Sequence, residues 1–538
     1  MLGPTCTPEW TLIGASEDSF NPKLTQFTAQ LPCQMLDTNN YVVFGNFQPV
    51  FGTTNTTSSI LIPGFEEDYV LLSIFALDIN GNAFFESWQL LFGSVDMPVL
   101  VLGVDGNPAS GVTVQANATT YVSVGQSGTT DSSGMVTFTN LIETTIGLVA
   151  RDAQNQIGVD GIAATPLLVT MHLIPYNTPS NITNFGFANG TQGWSGGTLV
   201  SVVDKRDNGI GLDVSTNSQY DLQTVSATFK TFPFTETAYI RYMFQTDEVP
   251  GGYFGTQFND YFVIIIRDDI GDYTTYENSM NGLGIGAFDS DGATQWYTLT
   301  LDVVNAKSVQ FDVGVSNVVD NLYQSQVIID KVGDLTCDGC GDCSTCPGDP
   351  MCQDVCQNPP SQSCAFYRNC VEATDHCGPG GYPLAFGEKN CNKFQNNLLQ
   401  FSATGQTWIW ATALCLQQAL VPVATSACDA STACSIIQQA AFDSHPACYV
   451  NSGFCSLEPS DYIAVITTVG GDLFSLEALK EIALTAAGCV ENIISGIESQ
   501  IQSLAAEVVT GVEQAAVNAA EIIALTIARK FFQSLLPQ

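Results

Sequence analysis

Sixteen of the eighteen cysteines lie between Cys337 and Cys489, and the first 336 residues hold only Cys6 and Cys33. That split divides the chain into two ways of becoming stable. The front must rely on hydrophobic cores, whereas the back can rely on covalent staples. An even cysteine count at dense spacing reads as a disulfide framework built in an oxidising compartment. All eighteen are therefore expected in disulfides: Cys6, Cys33, Cys337, Cys340, Cys343, Cys346, Cys352, Cys356, Cys364, Cys370, Cys377, Cys391, Cys415, Cys428, Cys434, Cys448, Cys455 and Cys489. Four glycosylation sequons, at Asn55, Asn117, Asn181 and Asn189, fall in the cysteine-poor half and agree with an extracellular or cell-surface protein. Met1–Gly14 shows no leader pattern, so a secretion signal is expected to have been removed or to lie outside this numbering.

A net charge of -38 comes from 53 acidic against 15 basic residues, yet only 13% of the chain is charged and 45% is hydrophobic. This composition belongs to an ordered protein with a neutral, polar surface rather than to an acidic disordered tail. Phosphate backbones need clustered Lys and Arg, so nucleic acid is not an expected partner. No run of eighteen uninterrupted apolar residues occurs, so no membrane span is expected.

Residues 1–95 read as strands. Val70–Leu77 is a buried-strand run, a turn follows at Asp78–Asn82, and Ala83–Leu90 returns. An Ig-like β-sandwich is expected. Residues 96–175 carry Val99–Leu102, then the turn and strand DGNPASGVTV at Asp105–Val114, then TDSSGMVTF at Thr130–Phe138. This pattern resembles the carboxypeptidase-regulatory-like, transthyretin-like β-sandwich, which implies a scaffold and no chemistry.

Residues 176–336 open on FANGTQGW at Phe187–Trp194, continue through FNDYFVIII at Phe258–Ile266 and close on DNLYQSQVIIDKV at Asp320–Val332. The three segments, in that order, resemble the jelly rolls of carbohydrate-binding and choice-of-anchor surface domains. Residues 337–358 form a cysteine-rich linker without apolar periodicity. Residues 359–490 read as a disulfide-rich helical domain. Its cysteine rhythm from Cys364 and the AFDS segment at Ala441–Ser444 resemble stanniocalcin-like modules of secreted proteins. Residues 491–538 read as apolar helices. The fold class is thus multidomain: N-terminal all-β sandwiches, Ig-like and jelly roll, followed by a disulfide-rich α-helical C-terminal region.

The spacing Cys337-x2-Cys340-x2-Cys343-x2-Cys346 is near that of an iron–sulfur loop or a zinc site, but the other cysteines favour disulfides. Asp443-Ser444-His445 contains triad residue types, though a triad converges from separate elements, so a structural role is expected. Tyr382 and Gly387-Glu388-Lys389 beside Cys391 read as a disulfide-pinned turn. With no acid, base and nucleophile set in view, no enzyme activity is expected. No cofactor is required, but acidic turns offer hard oxygen ligands, and Asp260, Asp269 and Asp289 are the candidates for calcium. Trp194, Tyr253, Phe254 and Trp296 are candidates for a sugar-stacking platform.

Beyond Gly511, apolar residues fall on more than one side of a helix. Val512, Ile522, Leu525, Phe531, Phe532 and Leu535 are the candidates for an assembly surface. The leading functional expectation is an extracellular structural glycoprotein that assembles with copies of itself into a fibre or surface layer. The alternative is a lectin-like adhesin that binds glycans through the jelly roll with calcium.

Overall fold

The computed structural model describes only the strands within residues 1–94. Beyond them it describes 95–119, 125–180, 187, 189–197, 199–203, 210–216, 222–231, 237–335, 354–424, 430–469, 488–508, 521–522, 524–526 and 528–533. Residues 1–92, 393–415 and 442–538 form one compact unit, and residues 93–392 with 416–441 form a second. The helical stretch 359–490, expected as one domain, is shared between the two. A β-rich front followed by a disulfide-bearing helical region is what the sequence anticipates.

The first unit contains β1 (Thr11–Asp18), β2 (Asn21–Gln30), β3 (Tyr41–Gly45), β4 (Gln48–Val50), β5 (Thr57–Pro63), β6 (Tyr69–Leu77) and β7 (Ala83–Leu91). They form two antiparallel sheets, β1-β2-β5 and β4-β3-β6-β7. The long helices of the chain are α1 (Ala403–Ala424), α2 (Ala430–Asn451), α3 (Pro459–Val469) and α4 (Cys489–Val508). Ser402 precedes α1 and its Oγ accepts the Gly405 N–H at 3.1 Å, satisfying one of the donors a helix start leaves open. The Ser402 N–H and Oγ–H are in turn held by the buried Asp461 carboxylate at 2.8 and 2.7 Å.

Trp408 anchors this core, its ring 5.7 Å from Tyr449 and 5.5 Å from Phe454. Disulfides Cys415–Cys448 and Cys455–Cys489 fasten the surrounding segments. By length and composition α1 could cross a bilayer, unlike the expectation from uninterrupted runs. Its buried Trp408 and Ile409 and the Cys415–Cys448 bond tie it instead to protein neighbours. His445 is buried between Phe442 and Tyr449, as a packing residue would be.

Leu525, Phe531 and Phe532, expected on an assembly surface, are buried. Phe532 lies 5.5 Å from Tyr462 and 6.5 Å from Phe454, so this chain itself covers it. Ile522 is half-buried, and Val512 and Leu535 lie outside the described residues. The apolar excess of this helix is spent at least partly within its own unit.

The second unit opens with β8 (Val95–Leu102), β9 (Thr113–Ala118), β10 (Gly125–Thr129), β11 (Met135–Leu141), β12 (Thr145–Arg151), β13 (Ile157–Ala163) and β14 (Val169–His172). Two sheets result, β10-β9-β12-β13 and β11-β8-β14, with β14 parallel to β8. Alternating burial along β8 and β9 places Met97, Val99, Val101, Val112, Val114 and Ala116 in the core.

The larger sandwich follows. Its strands are β15 (Trp194–Gly196), β16 (Leu199–Val203), β17 (Ile210–Ser215), β18 (Gln223–Lys230), β19 (Thr237–Thr246), β20 (Tyr261–Asp268), β21 (Tyr273–Ser279), β22 (Tyr297–Asp302), β23 (Ser308–Ser316) and β24 (Ser325–Leu335). They form two five-stranded sheets, β15-β18-β23-β20-β21 and β16-β17-β24-β19-β22.

Every residue of β20 is buried. Its even-numbered side chains face the opposite sheet, where Phe262 stacks on Phe244 at 4.8 Å. Its odd-numbered Tyr261, Val263 and Ile265 pack instead against Val149, Ile157 and Val159 of the smaller sandwich. A strand covered on both faces needs no polar side, which is why FVIII reads as a continuous apolar run. Gly147 and Gly161 sit opposite each other on β12 and β13. A Cβ on Gly161 would lie 2.0 Å from the Tyr261 ring, so glycine is what admits that ring.

Arg267 ends the odd-numbered face and is fully buried. Its Nε donates to Asp312 Oδ2 at 2.8 Å, and its terminal nitrogens donate to the carbonyls of Asn155, Ile174 and Pro175 at 2.6, 3.2 and 3.1 Å. Asp312 also accepts from Ser226 Oγ and from Gln310 Nε2. A charge taken fully out of water is tolerated only with partners of this quality.

The helical segments of the second unit are short and stapled. Cys356–Cys370, Cys364–Cys391 and Cys377–Cys434 join with the two disulfides above to pair ten cysteines, and none of the described ones is free. Cys6, Cys33, Cys337, Cys340, Cys343, Cys346, Cys352 and Cys428 lie outside the described residues.

Two stability measurements follow from this packing. Arg267→Met leaves Asp312 buried without its counter-charge and is expected to cost about 3–5 kcal/mol, while Arg267→Met with Asp312→Leu recovers much of that loss. Denaturant titration of the three proteins decides it; equal stability of the single variant and the wild type would show the pair to be dispensable. Removing Cys364–Cys391, which closes 27 residues, by double alanine substitution is expected to cost about 3 kcal/mol. Non-reducing peptide mapping should recover the five pairs named here, and any other partner for Cys364 contradicts the arrangement.

A polar cleft as the candidate functional site

Three distant stretches of sequence converge in the second unit around a cleft of about 490 Å³. β9 contributes Gln115 and Asn117, Thr119 follows just past its end, and β10 contributes Gly125, Gln126 and Ser127. β21 contributes Thr275, Tyr276, Glu277 and Asn278, and the stapled segment contributes Arg368 and Glu388. Gly125 is needed where it stands, because a Cβ there would meet Asn117 Oδ1 at 2.1 Å.

Glu277 is the floor. Its Oε1 accepts from Asn117 Nδ2 at 2.7 Å and its Oε2 from the Tyr261 hydroxyl at 2.9 Å. Burial pushes its pKa up, and the two donors and Arg368 pull against that rise. The Thr119 hydroxyl, just past β9, donates to the Thr145 carbonyl at 3.2 Å and accepts from the Ser279 hydroxyl at 2.9 Å, which ties the end of β9 to β21 beneath the cleft.

The third wall is a charged fork. Arg368 Nε and Nη2 donate to Glu388 Oε1 and Oε2 at 2.8 and 2.6 Å. Both residues sit in π-helical segments, Tyr367–Glu372 and Pro383–Glu388. The guanidinium lies 5.5 Å above the Tyr276 ring. Burial alone would depress the Arg368 pKa, but the Glu388 carboxylate overrides it and the net shift is upward, so the guanidinium stays charged. Cys356–Cys370 and Cys364–Cys391 bracket these two residues and fix their backbone.

Glu388 answers the Arg368 charge, and both Glu277 oxygens are taken by protein donors. What remains available is a set of amides and hydroxyls, while the Tyr276 ring is buried against Tyr242 and Phe262. That set suits a neutral, hydroxyl-rich ligand better than a phosphate or an organic acid.

The residues singled out from sequence lie elsewhere, with two exceptions. Asn117, a sequon asparagine, is half-buried with its amide on Glu277, and Glu388 belongs to the fork rather than to a bare turn. Asn189 is exposed, and Asn55 and Asn181 lie outside the described residues.

Trp194 and Trp296 are buried and do not form a stacking platform. Trp194 packs on Phe187 and Phe229, and Arg241 covers Trp296 at 4.5 Å. Tyr253 and Phe254 are half-buried, with Tyr253 5.3 Å from Tyr323.

The candidate calcium ligands are occupied by protein donors. Asp260 accepts the Val318 N–H at 2.9 Å and the Ser325 hydroxyl at 2.6 Å. Asp269 accepts the Lys307 and Ser308 N–H groups, and Asp289 those of Asp291 and Ala293. Among the described residues no three His, Cys, Asp or Glu side chains gather in a group able to hold a metal ion.

Arg368, Glu277 and Asn278 were not read as site residues from the sequence. The one signal available was an arginine inside the cysteine framework of a chain with 15 basic residues.

No family model and no curated protein matches the sequence, so none of the three motif resemblances gains support from one. Among solved structures, a carbohydrate-binding module in complex with β-1,4-galactotriose is 12% identical, with a TM-score of 0.19, over 29% of this chain and 97% of that chain. A carbohydrate-binding module specific for non-crystalline cellulose is 12% identical, with a TM-score of 0.21, over 30% of this chain and 99% of that one. The K2 cleaved adhesin domain of Lys-gingipain is 14% identical, with a TM-score of 0.19, over 28% of this chain and 94% of that domain.

The buried carboxyls give this protein a distinct pH response. Burial raises the pKa of Asp260 to about 7 and that of Glu248 to about 7. An unfolded carboxyl loses its proton near pH 4, whereas these keep theirs in the folded chain until about 7. The unfolded state therefore binds fewer protons in that window, and stability falls as pH rises through it, by on the order of 1 kcal/mol per pH unit for each group. Asp260→Asn is expected to flatten the slope of unfolding free energy between pH 4 and 7. An unchanged slope would remove Asp260 from the titration.

Proposed function

We propose that this protein is an extracellular glycan-binding protein whose recognition site is the cleft between β9, β10, β21 and the Arg368–Glu388 fork. The observation that carries this reading is the lining itself. Gln115, Gln126, Ser127, Thr275 and Asn278 present donors and acceptors around the cleft, with the Arg368 guanidinium, itself over the buried Tyr276 ring, forming one side. Sugars offer adjacent hydroxyls that pair with amides and forked charged groups, and a C–H face that lies against flat side chains. Five disulfides support an oxidising compartment.

The reading is binding without turnover. Both Glu277 oxygens accept hydrogen bonds from the protein, and both Glu388 oxygens are held by Arg368. Neither carboxyl is presented as a free acid facing a free base across the cleft. The reading also needs no cation, because the groups around the cleft make their contacts directly.

A glycan array probed with the full chain tests the proposal. Neutral oligosaccharides are the expected ligands, retained in EDTA and released unhydrolysed. Asn278→Ala and Arg368→Ala are each expected to weaken binding about tenfold or more, in line with losing hydrogen bonds worth ~1–3 kcal/mol, while Lys230→Ala leaves it unchanged. No binding on the array, or binding indifferent to both cleft substitutions, sinks the assignment.

A further inference from the structure

A second cavity in the same unit has the opposite chemistry. It measures about 780 Å³ and borders two sheet edges at once. β13 ends the sheet β10-β9-β12-β13, and β14 ends the sheet β11-β8-β14. The two strands meet at the Ile157–Ile174 bridge, where N–H and C=O are exchanged at 3.4 and 2.7 Å, and then diverge. Five consecutive residues of β13, Val159–Ala163, and six consecutive residues, Leu167–His172, line the space between them. Consecutive residues point to alternate sides of a strand, so what borders the cavity is the backbone edge and not one side-chain face.

Two details mark this space as a site. Asn317 lies in its wall, is 3% exposed, and neither its Oδ1 nor its Nδ2 has a hydrogen-bond partner. A buried amide left this way is a cost to the fold that a ligand could relieve. Beside it, Val319 holds a φ of 75° and is 44% exposed. A β-branched residue is strained there, and such strain is retained where a ligand uses it. The remaining wall mixes Asp160, His172 and threonines with an apolar part, Leu222 and Val318 inside and Leu167 and Leu168 exposed at the rim by 72% and 54%.

We propose that this cavity binds an extended, uncharged peptide that adds as a strand to the open edge of β13 or β14. An orphaned amide offers one acceptor and two donors, and a peptide group supplies the complementary pair. A sheet edge offers the same complementarity repeatedly, while apolar side chains at every second position fill the wall. A water molecule would satisfy Asn317 but would leave the apolar rim exposed. This site is independent of the polar cleft, and its failure would leave the glycan reading untouched.

The test uses the full chain and an acetylated, amidated eight-residue peptide of alternating Val and Thr, labelled for fluorescence anisotropy. Saturable binding is expected, weakened about tenfold or more by Asn317→Leu. That variant should melt at the same or a higher temperature than the wild type, because it removes an unpaired buried amide. Leu168→Glu, on the exposed rim, should weaken the peptide with no loss of folding. Absence of binding, equal binding by wild type and both variants, or binding of decanoate with none of the peptide would each overturn the proposal.

Discussion

One guanidinium fixes the geometry of the second unit. Arg267 extends from the central strand of the larger sandwich, takes Asp312 from the strand beside it, and spends its other donors on carbonyls of the smaller one. Hydrophobic contacts between Val149, Ile157 and Val159 on one side and Tyr261, Val263 and Ile265 on the other supply most of the adhesion. Such contacts are non-directional, so they allow sliding. A planar fork with four named acceptors does not. The cleft between β9 and β21, and the cavity between β13, β14 and Leu222, both need the two sandwiches in one fixed register.

The stapled segment plays the matching part for the cleft's third wall. Residues 354–396 form short helical turns rather than long helices, and many of their side chains are polar. Such a segment cannot hold an arginine over a tyrosine ring by burial alone. Cys356–Cys370 and Cys364–Cys391 hold it covalently, and the Arg368–Glu388 fork completes the wall. The sandwiches contribute surfaces set by hydrogen-bonded strands, and the cysteines contribute the one surface that strands cannot.

Much of the architecture was readable from residue order. FNDYFVIII at Phe258–Ile266 announced a jelly-roll strand, DGNPASG announced a reversal, and the cysteine census announced a disulfide-bearing helical end; that the strand is covered on both faces came from the structure. The site was less readable, because Asn117, Glu277 and Arg368 are far apart in the sequence and meet only through tertiary packing. Aromatic residues carry two readings, platform or core, and size favours burial: Trp194 and Trp296 are core. The same holds for Leu525, Phe531 and Phe532, whose apolarity signalled an interface and whose partners lie in their own chain. Asp260 looked like a ligand because it is an acidic residue beside a strand, yet its oxygens serve the backbone of Val318 and the hydroxyl of Ser325.

The covalent origin of that third wall also sets a clock. Strand pairing and collapse finish in milliseconds to seconds, whereas thiol oxidation and reshuffling take seconds to hours. A newly made chain thus passes through a stage in which both sandwiches stand and the Arg368 wall is not yet fixed. Maturation of the cleft is a separate, later event than folding of the scaffold, and it waits for an oxidant. On the glycan reading, recognition by this cleft would then wait for the disulfides of the stapled segment, with no additional lock required.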